Sequence, residues 1–296
     1  MTLPENRPFR FGVNLVTPAP RREWAEKSRK VEDLGFDVLG VPDHLGAPAP
    51  FPALVAAAEA TERIRVTSFV LNAAFHNPVL LAREAATADL LTDGRLEVGL
   101  AAGSIRQGTG SDGVPFPSAG ERVSQLERTV KELRGLMVNP DHSPRPVRPG
   151  GPPLLVAGNG DRVLRLAAEH ADIIGFTGIF AGRGEFPQLA SPEELGERVA
   201  LVREQLGARV AEVELNLLVQ QVIVTDDPRG TAEEWARHPL AHFTPEQLLA
   251  APAWLIGSQR EIADRLTEYR ERFGLSYIVV LEPWLESFAP VVEMLK

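Results

Sequence analysis

Asp43 and His44 stand side by side directly after an apolar run, residues 37–41, that reads as a β-strand. A carboxylate and an imidazole in that position can orient a polar ring or shuttle a proton near neutral pH. The competing reading is that Asp43 caps the following turn and His44 packs. A second group, Gly158-Asn159-Gly160, separates a predicted strand from a predicted helix. Backbone N–H groups at a helix N-terminus, unobstructed by Cβ atoms, bind phosphate; the same tripeptide also makes a plain turn. Phe176-Thr177-Gly178 follows the next predicted strand and would bring a hydroxyl to the same anion, with Arg183 either adding a positive charge or lying solvated in its loop. Trp254, Glu282 and Trp284 fall near the ends of late strands. There the indoles would wall a pocket, with core or dimer packing the plainer alternative for Trp254. Asn14 and His76 complete the candidates, as substrate contacts.

Such groups work together only if a scaffold gathers strand C-terminal ends at one place. The hydrophobic periodicity predicts one. Strands are expected over residues 9–15, 37–41, 64–71, 96–100, 154–157, 172–176, 213–225 and 277–281. Helices are expected over 21–34, 52–61, 78–91, 121–137, 161–170, from the cap Ser191-Pro192-Glu193-Glu194, from the capping box at Ser258 to near Phe273, and over 285–295. Gly35 reads as the left-handed residue that closes the first helix. Eight strands alternating with helices, with no GxGxxG opening, favour a closed (β/α)8 TIM barrel over a Rossmann sheet. The whole chain, 1–296, reads as one such domain, with insertions at about 104–119, 178–191 and 226–252 on the C-terminal face.

Composition narrows the chemistry. With no cysteine, thiolate catalysis, disulfides and Cys-ligated metals are excluded, and the six histidines show no metal-ligand spacing. A net charge of −9 without a basic run argues against nucleic acid. No apolar stretch approaches a membrane span and residues 1–10 lack a signal core, so a cytoplasmic protein acting on a small molecule is expected.

Several segments also carry a resemblance. Gly40-Val41-Pro42-Asp43-His44-Leu45, residues 64–103, Gly120-Glu121-Arg122-Val123, residues 152–160, Ala167-Ala168-Glu169-His170-Ala171-Asp172 and Ser276-Tyr277-Ile278-Val279-Val280 occur in an order that resembles the bacterial-luciferase-like monooxygenase superfamily. Within it, they resemble the branch that uses the deazaflavin coenzyme F420. The resemblance implies a coenzyme across the barrel mouth, touched by Asp43 and His44, with its phosphate at Gly158, Asn159, Gly160 and Thr177. It implies a non-proline cis peptide within Thr67-Ser68-Phe69-Val70 behind the ring. Asn72, Gly103, Ser104, Phe176 and Gly178 would line the same coenzyme. The chain departs from its relatives at His76-Asn77-Pro78, where they commonly read Arg-His-Pro. It departs again at Ser104, where they place Trp or an acidic Glu, so that any acid would have to be His44, Glu282 or water. The flavin-phosphate arginine of luciferase aligns near Ala102 here, which favours F420 over FMN. The implied activity is hydride transfer between reduced F420 and a C=C, C=N or C=O of a small organic substrate. An FMN-dependent monooxygenase, or a non-redox enzyme or binding protein on the same barrel, are the alternatives. Helices 52–61 and 78–91 resemble those that form the family's homodimer.

Overall fold

The computed structural model describes residues 7–103, 117–180, 188–238 and 242–296. Ser104, Arg183 and most of the 104–119 segment lie outside them. The first half alternates regularly: β1 (Arg10–Asn14), α1 (Arg21–Asp33), β2 (Val38–Val41), α2 (Pro50–Ala60), β3 (Arg65–Asn72), α3 (Pro78–Leu91), β4 (Leu96–Ala101), α4 (Ala119–Val138), β5 (Leu154–Ala157), α5 (Asp161–His170) and β6 (Ile173–Phe176). A short hairpin follows, β7 (Ile179–Phe180) with β8 (Gln188–Leu189), then α6 (Pro192–Leu206), β9 (Glu214–Leu218) and β10 (Gln221–Val224). The chain closes with α7 (Pro228–Ala236), α8 (Pro245–Ala250), β11 (Trp254–Gly257), α9 (Gln259–Phe273), β12 (Leu275–Leu281) and α10 (Leu285–Leu295). Eight parallel strands close on themselves in the order β1-β12-β9-β6-β5-β4-β3-β2. This is the expected (β/α)8 barrel.

The helix ends follow local chemistry. Ser118, Ser191, Thr244 and Ser258 each accept from the backbone three residues on, and the Glu or Gln at that position reaches back to the cap. Gly35, at φ +82°, takes the left-handed conformation just past α1.

One predicted strand is divided. Residues 213–225 are apolar enough to read as a single barrel strand, yet the barrel keeps only β9. Val219 N still bonds Val279 O of β12, but Gln220 N and Gln221 N turn to Ala253 O. From there β10 pairs in parallel with β11, outside the barrel. Both halves are apolar because both are partly buried, each in a different sheet. Around β11, Trp254, Ile256, Leu248 and Ala232 form a satellite core. The described residues of the insertion at 226–252 therefore form a helical flank with its own apolar centre, and the strand β11 that follows it was not foreseen.

Side chains inside the barrel alternate with those facing the helices. Val38, Phe69, Leu155, Ile173, Tyr277 and Val279 fill the axis, and the larger apolar layer lies between strands and helices. The floor is ionic. Arg10, Arg65, Glu97 and Glu214 come from the N-terminal ends of β1, β3, β4 and β9. Glu97 Oε1 accepts from Arg10 at 2.5 Å and from Arg65 at 2.6 Å, and Glu214 meets Arg10 at 2.9 Å. The Arg10 guanidinium also lies over the Tyr277 ring, 4.2 Å from its centroid. Burial would push the Glu97 carboxyl upward, but Arg10 and Arg65 hold it below the usual carboxylate range. For Glu214 burial prevails, with Arg10 offsetting it only in part, and its carboxyl is pushed up.

Candidate active site

At the opposite end of the barrel, hydrogen bonds join the loops after β2 and β3, and the loop after β4 packs against them. Asp43 Oδ2 accepts from Asn72 N at 3.1 Å and pairs with His76 Nε2 at 2.9 Å. Asn72 Oδ1 in turn accepts from Ala74 N and fixes the short turn before α3. Gly103, at φ +75°, lies against Asn72: a Cβ there would stand 2.7 Å from the Asn72 amide. Arg122, from the first turn of α4, donates to Gly103 O and Pro117 O. Asp43 thus pairs with a residue 33 positions away in the chain. His44 itself is exposed.

The peptide bond Phe69–Val70 is cis, as the resemblance implied. The register between β3 and β4 shifts between Ser68 and Leu71, so the chain bulges here. Asn14 Nδ2 donates to Phe69 O at 3.1 Å, and Ser68 Oγ accepts from Gly99 N at 2.9 Å. Asn14, Ser68 and Phe69 are all buried. The structure therefore places Asn14 and Ser68 as buried supports of the bulge. Val70 alone of this segment is partly exposed toward the mouth.

Across the mouth, Gly160 is the N-cap of α5, and no side chain caps that helix. Among the described residues, nothing lies within 4 Å of where a Gly160 Cβ would be. With no side-chain cap among the described residues, the N-terminus of this ten-residue helix is an arrangement that fits a phosphate. Asn159 and Thr177 are engaged elsewhere. Asn159 Nδ2 donates to Thr177 Oγ1 at 2.8 Å and to Ile179 O at 2.7 Å, and the Thr177 hydroxyl donates to Ile179 O. Both amide hydrogens and the hydroxyl hydrogen are consumed in bracing the β5 and β6 loops. Gly178, at φ +63°, lets the second loop pass close to Ala253. Phe176 corrects the sequence reading outright. It is 1% exposed and belongs to the layer between barrel and helices.

The late-strand candidates divide. Trp284 is half-buried and its Nε1 donates to Gln220 O at 3.1 Å, so its ring is fixed beside the mouth. Trp254 is 8% exposed and meets Trp235 edge-on at 5.2 Å, as satellite core. Glu282 is committed to an anchor. Its Oε2 accepts from Val16 N and Thr17 N, both at 2.8 Å, and its Oε1 takes Lys27 Nζ at 2.8 Å. Burial works against its charge, but these donors keep the carboxyl below the usual range, so it has no proton to give near neutrality. Glu282→Gln is expected to cost about 1–2 kcal/mol in urea unfolding near neutral pH. Because the folded-state pKa is depressed, the wild-type advantage is complete above the ordinary carboxylate range and is lost as pH falls through the lowered value. The two unfolding curves should converge in acid.

The family model for luciferase-like monooxygenases matches residues 6–272. The chain belongs to the luciferase-like monooxygenase family. Relatives in this family differ in coenzyme. The chain is 28% identical over 298 residues to an F420-dependent glucose-6-phosphate dehydrogenase of Kribbella flavida, covering 92% of this chain and 85% of that protein. It is 26% identical over 263 residues to the oxygenase component of a flavin-dependent trigonelline monooxygenase of Acinetobacter baylyi, covering 75% and 71%. Among solved structures, an F420-dependent secondary alcohol dehydrogenase in complex with an F420-acetone adduct superposes with a TM-score of 0.77 at 16% identity, over 98% of this chain and all (100%) of that one.

In this luciferase-like barrel, sequence reasoning missed Gln220, Arg122 and Gln125. Gln220 Nε2 donates to Thr177 O, and its carbonyl holds Trp284. Gln125 Nε2 reaches His76 O at 3.5 Å. Gln220 stands where β9 gives way to β10, and the Gln-Gln pair interrupting an apolar run was the available signal. Gln125 lies on an ordinary amphipathic helix and gave none, while Arg122 stood in the Gly120-Glu121-Arg122-Val123 segment with no role attached to it.

Proposed function

We propose that this chain is an oxidoreductase that binds reduced coenzyme F420 across the barrel mouth and reduces a C=O, C=N or C=C of a small organic substrate. The coenzyme would supply the hydride; the protein would bind, orient and exclude water. The observation that carries the reading is the N-terminus of α5, uncapped by a side chain and unobstructed at Gly160 among the described residues, on the same mouth as the Phe69–Val70 bulge. The first holds a phosphate and the second backs a flat ring. Gly160, with the N–H groups of the first turn, would take the phosphate, and Asn159 and Thr177 would keep those loops in place. Val70 would stand under the ring and Trp284 beside the substrate. The F420-dependent relative that spans most of this chain supports the coenzyme choice.

A twofold contact through α3 belongs to the same proposal. Its outer stripe, Val79, Leu80, Arg83, Glu84, Thr87, Leu90 and Leu91, is exposed, with apolar pairs at both ends. An antiparallel copy would set Val79 and Leu80 against Leu90 and Leu91.

Fluorescence titration of the purified protein with F420 and with FMN tests the coenzyme. Saturable F420 binding, followed by oxidation of the reduced form on adding a carbonyl substrate, is expected. Tight FMN binding without F420 binding would favour the monooxygenase alternative, which the flavin-dependent relative keeps in view. Binding of neither would favour a non-redox role.

A further inference from the structure

We propose that His76, oriented by Asp43, gives and takes the substrate proton at this mouth, in place of its neighbour-in-sequence candidate His44. The proposal rests on the redox reading above. The carboxylates and imidazoles that the sequence offered at the mouth are Asp43, His44, His76 and Glu282. Glu282 is held ionised by Lys27 and two backbone N–H groups. Asp43 Oδ2 already accepts from Asn72 N and His76, which makes it an orienting group. His44 is exposed, and nothing among the described residues holds its ring.

His76 is different. Its side chain is 20% exposed, against 18% for Asp43, so the pair is sheltered without being sealed. Its backbone is fixed by Ala73 O and Gln125, and its ring tip by Asp43. A carboxylate has no proton to donate, so the shared proton belongs to Nε2. That choice of tautomer leaves Nδ1 as the working nitrogen, and it has no partner among the described residues. A neutral His76 accepts at Nδ1 and an imidazolium donates from it, while Nε2–H stays on Asp43 in both states. Asp43 is thus a positioning residue of the kind that fixes ring orientation beneath catalytic and metal-bound imidazoles.

The pair also stands where a proton is needed. Asn72, which shares Asp43 with His76, is separated from Val70 of the bulge only by Leu71. As a hydride pair reaches the carbon of a C=O, the π pair moves to oxygen. The Nδ1–H bond of the imidazolium breaks, an O–H bond forms, and neutral imidazole remains. Alcohol oxidation runs the same proton back to Nδ1.

Two measurements test this. In the coenzyme-free protein, nitrogen-resolved NMR of histidine-labelled material should show neutral His76 as the Nε2–H tautomer, and Asp43→Asn should mix the tautomers. A proton on Nδ1, or a tautomer indifferent to Asp43→Asn, overturns the pairing. With reduced F420 and acetone, cyclohex-2-enone and 1-pyrroline as probes, His76→Gln should lower kcat on the order of 100-fold, with KM changed less than about threefold. Retained kcat in His76→Gln, or a loss that falls on His44→Gln instead, overturns the proton transfer. Wild-type protein that turns over none of the probes also overturns it. Whether that protein still binds F420 then separates this failure from failure of the coenzyme reading.

Discussion

Glu97→Gln is expected to lower the free energy of unfolding by about 3–5 kcal/mol, the range for breaking a buried ion pair from one side. Glu97 is 1% exposed and serves two guanidinium groups at once, Arg10 and Arg65. Glutamine keeps the shape and removes the charge. It leaves Arg10 with Glu214 and takes from Arg65 its ion pair, and Glu214 is itself disfavoured as an anion by burial. Urea unfolding should show the midpoint falling with little change in slope. The pH dependence has a definite sign. The Glu97 pKa is lowered in the fold, so its contribution is complete above the ordinary carboxylate range and disappears as pH falls through the depressed value. Glu214, whose pKa is raised, acts the other way: as pH falls toward that value, proton uptake favours the fold. The wild-type advantage over Glu97→Gln should therefore hold through mildly acidic pH and fail only in stronger acid. A variant that unfolds at the wild-type midpoint would show that the floor contributes little to stability.

Gly99→Ala should cost about 3 kcal/mol, at the upper end of what inserting one methyl group into a packed interior does. A Cβ at Gly99 would stand 2.2 Å from Ser68 O and 2.9 Å from Val70 Cγ1. The oxygen belongs to the backbone and cannot rotate away. Ser68 is paired to β2 and β4 and tied to Gly99 through its own hydroxyl. The contact is relieved only by lifting residues 68–70 toward the mouth. Under the proposed function that movement enters the space of the coenzyme ring, so F420 affinity should fall at least tenfold alongside the loss of stability. Gly135→Ala is the matched control. Gly135 lies inside α4 with nothing among the described residues within 4 Å of its Cβ position, and alanine there should stabilise by about 0.5–1 kcal/mol. Equal F420 binding by Gly99→Ala and wild type would remove the bulge from the coenzyme site.

Much of the site was visible in the sequence as positions and little of it as partners. Asp43, Asn72, Gly103, Gly160 and Trp284 do stand at strand or loop ends around one mouth, because strand ends can be read from where an apolar run stops. Their hydrogen bonds could not be read. Asp43 bonds His76 and not the adjacent His44, since closing the barrel brings the β2 and β3 loops together and leaves the neighbouring ring outside. Phe176 and Phe69 show the same limit. Alternation along a strand says that neighbouring residues face opposite ways, but not which way is the axis. The structure sends Phe69 inward and Phe176 toward the helices.

The sequence by itself determined the alternation of strands and helices, the capping boxes, the left-handed glycine after α1 and the absence of any cysteine chemistry. Those features depend on residues within a few positions of one another, where backbone geometry and short-range hydrogen bonding decide. Only the tertiary structure decided that residues 213–225 divide between two sheets, that Trp254 packs on Trp235, that Glu282 anchors a loop and that Asp43 holds His76. Each of these follows from contacts between distant segments, which exist only once an eight-stranded ring has closed and the helices have packed around it.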